Sequence, residues 1–325
     1  MAARWWRRGD VAVVTSRSGT TPAVLLVIVG LACQEVGASL AVLLFPQVGP
    51  LGMVMLRLVF SAIILLLIAR PGLRGHTREG WLAVLGFGVV LAVMNGLFYL
   101  ALERLPLGVT VTIEVLGPLV LSIVASRRLS AWLWALLALV GVVALGGGGW
   151  DRLDPLGVLF ALGAAASWAF YILASARVGR EFPKLDGLAL AMTAGAVIAL
   201  PFGIISAGAA LLRPDLLALG AAVAVLSSTI PYALELIALR RLPAAAFAIL
   251  MSLAPATAAI AGWVLLGQEL AWLEILGIAL VIVASIGAVR SAGRAARDAA
   301  ASAPVDEGDG TPPREPDEPF AEPVA

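Results

Sequence analysis

The chain has 325 residues, of which 61% are hydrophobic and 13% are charged, and its formal net charge is +1. A soluble domain usually carries about 25% charged residues, so this composition excludes an ordinary soluble enzyme. The small net charge also excludes a nucleic-acid-binding protein, which needs a basic surface. The lipid bilayer is therefore the expected surrounding of this chain.

The predicted fold is an all-α integral membrane protein with ten transmembrane helices, because ten apolar runs are each long enough to cross a bilayer. In chain order these runs lie at 22–45, 51–69, 80–102, 107–125, 131–148, 155–178, 187–209, 216–239, 244–266 and 271–289. A basic cytoplasmic N-terminus, 1–21, precedes them. The tail, 291–325, is rich in proline and acidic residues towards its end and is expected to be disordered in the cytoplasm.

Lysine and arginine lie mainly on one side of these predicted helices. The N-terminus, the even-numbered loops and the C-terminal tail hold 18 of them, whereas the odd-numbered loops hold only Arg104, Arg152 and Arg213. Cytoplasmic loops of membrane proteins carry an excess of these residues. We therefore expect a multi-pass protein of the plasma (inner) membrane with both termini in the cytoplasm.

The residues of metal sites and of catalysis are scarce. Cys33 is the single cysteine and His76 the single histidine, which excludes an internal disulfide and a Cys- or His-rich metal site. A membrane enzyme would need a nucleophile with its base, or metal ligands, in or near the spans. The predicted spans contain neither His nor Asp. We expect no catalytic residues, no metal and no cofactor.

The chain carries an internal repeat at an offset of 137 residues. The matches are Phe45-Pro46 with Phe182-Pro183, 101–106 with 238–243, and Pro118 with Pro255. They predict two five-helix repeats, 22–148 and 155–289. Because five is odd, the second repeat enters the membrane upside down. Secondary transporters built in this way hold their substrate near the midplane, between the two halves.

Four charged residues lie inside the predicted spans: Glu35, Arg57, Glu114 and Glu235. An ion inside a membrane costs roughly 2.5–3.5 kcal/mol or more, so it usually faces a cavity or a charged partner. Three carboxyl groups cannot all be paired with one guanidinium group. The three glutamates are therefore the candidates for proton coupling.

Glu114 is the strongest of these candidates, since it lies one turn before Pro118. A proline inside a helix disrupts the bond to the carbonyl four residues earlier, which here belongs to Glu114 itself. Pro255 does the same to Met251 in the second repeat. Matching interruptions in both halves indicate a transporter site. The alternative is that Glu114 only pairs with Arg57 and so ties spans two and four together.

The other two glutamates have structural alternatives. Glu35 lies near the middle of span one, where it could equally make a hydrogen bond that packs two helices. Glu235 lies about one turn from the cytoplasmic end of span eight. From there its side chain could reach Arg240 or Arg241 at the interface.

Uncharged polar and aromatic residues complete the predicted substrate site. Gln34 corresponds to Tyr171 across the repeat, and Asn95 corresponds to Tyr232. Trp168 lies three residues before Tyr171, on the same helix face. Equivalent positions in inverted repeats can converge on one cavity, although a single such residue more often bonds two helices together. The predicted substrate-binding set is Gln34, Arg57, Asn95, Glu114, Trp168, Tyr171 and Tyr232.

Four segments resemble a known family: 43–49, 101–108, 111–118 and 230–235. They read LLFPQVG, ALERLPLG, VTIEVLGP and IPYALE. Together they are similar to the threonine/homoserine exporters of the RhtA type, in the EamA-type branch of the drug/metabolite transporter superfamily. The resemblance covers about 22–290. It implies efflux of small amino acids and related metabolites, in exchange for protons.

The resemblance also implies site residues. The family's glutamates in spans four and eight correspond to Glu114 and Glu235, and its span-two arginine corresponds to Arg57. One departure is Gly267-Gln268, where such repeats often carry Gly-Glu; Glu269 follows directly. Glu35 matches no family hallmark.

The substrate class stays open between two readings. A zwitterionic amino acid needs a partner for each end: Arg57 or an amide of a broken helix for the carboxylate, and Glu114 for the ammonium group. The alternative is a flippase for a lipid carrier, or another metabolite flippase or uniporter, of the same superfamily. A lipid flippase would have an apolar groove that opens laterally to the membrane.

Overall fold

The computed structural model describes residues 20–126, 129–145, 153–183, 185–239, 241–242 and 244–301. Within these ranges every regular element is helical. The α-helices are α1 Thr20–Ala69, α2 Arg78–Leu102, α3 Leu107–Glu114, α4 Leu116–Ser126, α5 Leu129–Leu145, α6 Pro155–Glu181, α7 Asp186–Ala207, α8 Pro214–Ala224, α9 Ile230–Leu239, α10 Ala244–Met251, α11 Ala254–Leu266 and α12 Trp272–Ala301. A 3-10 helix, Gly208–Leu212, precedes α8, and a π-helical turn, Val225–Thr229, joins α8 to α9.

The all-α membrane class is confirmed in the described part of the chain. Seven helices there are long and apolar enough to cross a membrane, and two shorter apolar helices, Leu107–Leu121 and Trp132–Leu145, accompany them. Large apolar side chains such as Leu133, Ile205 and Phe202 lie exposed on the outer surface. Such a surface is stable against lipid and unstable against water.

The buried core of the molecule surrounds α1. Leu31, Met53 and Leu58 of this helix are almost completely buried, as is Tyr99 of α2. Helix α1 packs against α7, α8, α9 and α11, while α2 packs against α6 and α7, and α5 against α12. Helix α1, from the first half of the chain, thus packs mainly against helices of the second half.

The junction of the first two predicted spans differs from the expected loop at 46–50. The range Thr20–Ala69 consists of two helices that meet at a kink, where Gly49 is non-helical, with φ 70° and ψ 162°. Glycine adopts a positive φ without steric strain, and Pro50 fixes the φ with which the helix resumes. The Val48 carbonyl accepts a hydrogen bond from Ser206 Oγ at 3.2 Å, so it is satisfied although the helix is broken there.

The C-terminal boundary also differs from the expected one. Helix α12 continues to Ala301, so the first part of the predicted disordered tail, 291–301, is helical. Six of the eleven residues 291–301 are alanine, and alanine is the best helix former. Residues 302–325 and 1–19 lie outside the described residues.

Three contacts between connecting segments join odd-numbered loops with each other and even-numbered loops with each other. They are Arg104 Nη1 with Asp154 Oδ2 at 2.7 Å, Arg177 Nη2 with Glu79 Oε2 at 4.0 Å, and the stacked rings of His76 and Phe182 at 4.3 Å. The Arg104 hydrogen bond holds the pKa of the exposed Asp154 carboxyl below its usual value. The first contact joins loops three and five of the predicted topology, and the other two join loops two and six.

Helices α4 and α6 touch through a glycine. A Cβ atom at Gly117 would overlap the carbonyl oxygen of Ala165. Backbone at this point cannot move aside as a flexible side chain would, and overpacking of a core typically costs about 1–3 kcal/mol. Gly117→Ala is therefore expected to lower the thermal midpoint and the yield of monodisperse protein in size-exclusion chromatography.

The matched control for this change is Gly86→Ala, since a Cβ atom at Gly86 meets no atom within 4 Å. Gly86→Ala should keep the yield and the midpoint of the wild type. Equal midpoints for Gly117→Ala and the wild type would contradict the close approach of α4 and α6.

Candidate substrate cavity

One cavity, of about 140 Å³, is lined by all four charged residues of the predicted spans. Its lining comes from α1, α2, α3, α6, α9, α10 and the π-helical turn. It brings together eight of the predicted site residues: Gln34, Glu35, Arg57, Asn95, Glu114, Trp168, Tyr171 and Glu235. The side chain of the ninth, Tyr232, lies outside the described residues.

Two helix interruptions border the cavity, as the prolines predict. Helix α3 ends at Glu114 and α4 begins at Leu116, two residues before Pro118. Helix α10 ends at Met251, and α11 begins at Ala254 with a proline in its first turn. Both terminal residues, Glu114 and Met251, line the cavity. Their carbonyls lack the helical donor that a proline removes, so each interruption adds backbone polarity beside the cavity.

The π-helical turn is a third interruption, which the sequence reasoning missed. Pro231 has no N–H group, so the carbonyl four residues earlier, that of Ser227, lacks its α-helical donor. Arg57 fills this place, since its Nη2 donates to the Ser227 carbonyl at 3.1 Å. Pro231 was the available signal, by the same argument that singled out Pro118. Single π-helical turns are frequent at functional sites.

The guanidinium group of Arg57 joins α1 to two other elements. Nη1 donates to the Tyr99 hydroxyl of α2 at 3.3 Å, and Nε donates to Ser228 Oγ at 3.3 Å. Its Cζ also lies 5.6 Å from the centroid of the Tyr99 ring, within cation–π range. Arg57 and Glu114 line the same cavity, while the ion pair between them stays a prediction.

Glu35 lies deeper than its neighbours, with 2% of its surface exposed. Within the described residues its Oε2 atom has no hydrogen-bond partner, so the packing hydrogen bond considered above is not seen at this oxygen. A buried polar atom without a partner is costly unless something binds it. Glu35 therefore offers the cavity an acceptor that protein groups leave unused.

Asn95 and Glu235 complete the polar lining. Asn95 is 7% exposed, and its Nδ2 donates to the Leu91 carbonyl of its own helix at 2.8 Å. Glu235 is half-buried and lines the cavity. Of its two predicted partners, Arg240 lies outside the part of the chain that the structure describes, and no ion pair with the exposed Arg241 is seen among the described residues. The cavity as a whole holds one guanidinium and three carboxyl groups, which can receive the two opposite charges of a zwitterion.

Gln268, where the sequence departs from the family pattern, binds the start of helix α3. Its Oε1 accepts a hydrogen bond from the Leu107 backbone N–H at 2.9 Å. Leu107 begins α3, whose first N–H groups have no helical acceptor, so Gln268 caps the helix that ends at Glu114. An uncharged amide oxygen can fill this place as a carboxylate would. Among the described residues no group of three or more His, Cys, Asp or Glu is arranged to hold a metal.

The fold resembles that of a solved protein. A crystal structure with 20% sequence identity superposes with a TM-score of 0.57, over 86% of this chain and 99% of the other. At that identity the likeness shows the fold alone.

Two sequence relatives are much closer. They are named threonine/homoserine exporter RhtA and come from Salmonella typhimurium strain LT2 and Escherichia coli strain K12. They are 41% and 40% identical over 266 residues, which is 81% of this chain and 90% of each relative. The model of the EamA-like transporter family matches residues 155–290. The chain therefore belongs to the EamA-like transporter family and, within it, to the branch that contains the RhtA proteins.

Proposed function

We propose that this chain exports small amino acids, above all threonine and homoserine, in exchange for protons. The observation that carries the proposal is the cavity, in which one guanidinium and three carboxyl groups meet at interrupted helices. The relatives at 40–41% identity, named as threonine/homoserine exporters, support the substrate class. The lipid-flippase alternative is disfavoured, because an apolar chain gains nothing from such a lining.

The proposed architecture has ten spans in two inverted five-helix repeats, 22–148 and 155–289. In it α1 supplies two spans that meet at Gly49. The helix pairs α3 with α4 and α10 with α11 supply one interrupted span each, and α8 continues through the π-helical turn into α9. The interruptions at Glu114 and Met251 lie 137 residues apart, at the repeat offset, which supports the correspondence of the two halves.

The proposed substrate pose follows from charge. The carboxylate lies against Arg57, whose guanidinium is already oriented by Tyr99 and Ser227. The ammonium group lies against Glu114, on the opposite helix. Gln34, Trp168, Tyr171 and Tyr232 complete the walls.

The proposed coupling rests on competition at Glu114. Its carboxyl group binds either the substrate ammonium group or a proton, but not both. The cavity therefore carries a substrate molecule out of the cell and a proton into it. Glu35 and Glu235 provide further carboxyl groups in the same cavity for the path of the proton. Intramembrane carboxyls in such cavities commonly form proton relays.

The experiment that tests the function is uptake into everted membrane vesicles from cells without their own threonine exporters. Export then becomes uptake, and an acidic vesicle interior should increase it. We expect labelled threonine and homoserine to accumulate, and vesicles lacking the protein to accumulate neither. Transfer of a fluorescent lipid analogue without uptake of any amino acid would overturn the proposal in favour of a flippase.

The proposed topology places both termini in the cytoplasm, in the plasma (inner) membrane. The parity of the loop contacts supports it, because loops two and six, or three and five, must then lie on one side. In a Cys33→Ala background, Arg104→Cys is expected to react with an impermeant thiol reagent in whole cells. Arg241→Cys is expected to react only after the cells are opened. The reverse pattern would contradict the orientation.

A further inference from the structure

Two neutral polar side chains of the cavity, those of Asn95 and Ser227, use donor hydrogens in bonds to their own helices. Asn95 Nδ2 donates to the Leu91 carbonyl. The other polar atom of the amide group, Oδ1, can only accept a hydrogen bond. Ser227 Oγ donates its single hydrogen to the Val223 carbonyl. Its remaining capacity is that of an acceptor. Both side chains line the cavity, so these two groups offer it acceptor oxygens, which bind a ligand that brings its own donor.

Asn95 lies close to Arg57, against which the substrate carboxylate is proposed to bind. It lies one helical turn before Tyr99, which holds the guanidinium of Arg57. Residues four apart on a helix share a face, with about 5–6 Å between their Cβ atoms. A small amino acid whose carboxylate lies against Arg57 therefore has its side chain within reach of the Asn95 amide.

We propose that Asn95 determines specificity by accepting a hydrogen bond at Oδ1 from the side-chain hydroxyl of the substrate. The inference rests on the proposed function and adds the chemical feature that the cavity selects: a small zwitterion with a hydroxyl donor in its side chain. The tether to Leu91 prevents the amide from turning its Nδ2 towards the ligand. A site built to bond a hydroxyl rejects the analogue without it, because a buried polar group is then left without a partner.

The test compares threonine with 2-aminobutyrate, which has the same carbon chain and no hydroxyl. The readout is the ratio of their initial uptake rates in everted vesicles. The wild type is expected to prefer threonine by about tenfold or more, as the loss of one buried hydrogen bond implies. Asn95→Leu, which keeps the size and removes the acceptor, should reduce this preference to about twofold or less. Asn95→Ala carries the same expectation if the leucine variant fails to accumulate.

A matched control is Thr193→Val on α7. Thr193 Oγ1 donates to the Ala189 carbonyl, the same kind of tether as that of Asn95, and the residue does not line the cavity. The ratio of threonine uptake to 2-aminobutyrate uptake in Thr193→Val should equal that of the wild type. An unchanged ratio in the Asn95 variants, or an equal loss of both compounds, would overturn the proposal, since Asn95 would then bind the ammonium group or only support the fold. Wild-type vesicles that take up neither compound would instead refute the proposed function itself.

Discussion

Glu114→Gln is expected to reduce the rate of export by at least about tenfold, while the protein accumulates in the membrane to its normal amount. Glutamine keeps the size and most of the hydrogen bonding of glutamate, but it neither carries a negative charge nor takes up a proton. Glu114 ends α3 at the cavity, so this change removes the proposed site for the ammonium group and for the proton. Threonine uptake into everted vesicles at several pH values, normalised to protein amount, measures the effect.

The control for this change is Glu103→Gln, the same substitution at an exposed glutamate just after α2. It should leave both the rate and its pH dependence unaltered. If Glu114→Gln exported at the wild-type rate with the wild-type pH response, Glu114 would be a structural residue. The coupling proposal would then have to pass to Glu35 or Glu235.

Arg57 is expected to matter for folding as well as for transport. Its guanidinium donates to Tyr99, Ser227 and Ser228, and so joins α1, α2 and the π-helical turn. Hydrogen bonds to charged groups contribute about 1.5–3 kcal/mol each. Arg57→Ala should therefore lower the thermal midpoint of unfolding. It should also reduce the amount of protein in the membrane by several fold. Arg57→Lys should fall between it and the wild type, since lysine lacks the planar fork.

Tyr99→Phe is the control for this series, because it removes one hydrogen bond and keeps the ring. It should cost about 1.5–3 kcal/mol, less than Arg57→Ala, which loses all three hydrogen bonds. The double variant Arg57→Ala with Glu114→Ala tests the predicted ion pair. If the two residues pair, removing both should restore part of the protein lost in Arg57→Ala, since no unpaired charge remains. Normal accumulation of Arg57→Ala without export would contradict the folding role and leave Arg57 as a substrate ligand alone.

The candidate site was largely predictable because the membrane penalises polar groups so strongly. Glu35, Arg57 and Glu114 lie far apart in the sequence, yet each had to face a cavity or a partner. The structure places them around one cavity. The prolines located the interruptions, because the loss of an N–H group at Pro118 has a consequence at a known distance along the chain.

The parts that could not be predicted depend on local geometry and on packing. The π-helical turn at Ser227 combines the effect of Pro231 with a donor, Arg57, that lies 170 residues away in the chain. Composition alone did not separate a loop at 46–50 from a helix broken only at Gly49, since both contain proline and glycine. The average composition of the tail does not predict the end of α12, because its alanine-rich first residues are helical while its later residues are rich in proline.

The exchange of substrate for protons in this cavity is tested most directly in proteoliposomes that contain only the purified protein. The vesicles are loaded with threonine and a pH-sensitive dye, and are then diluted into threonine-free buffer at the same pH. The account predicts that threonine leaves while the vesicle interior becomes acidic, and that neither change occurs with Glu114→Gln. Threonine efflux without acidification, or equal acidification with the glutamine variant, would contradict it.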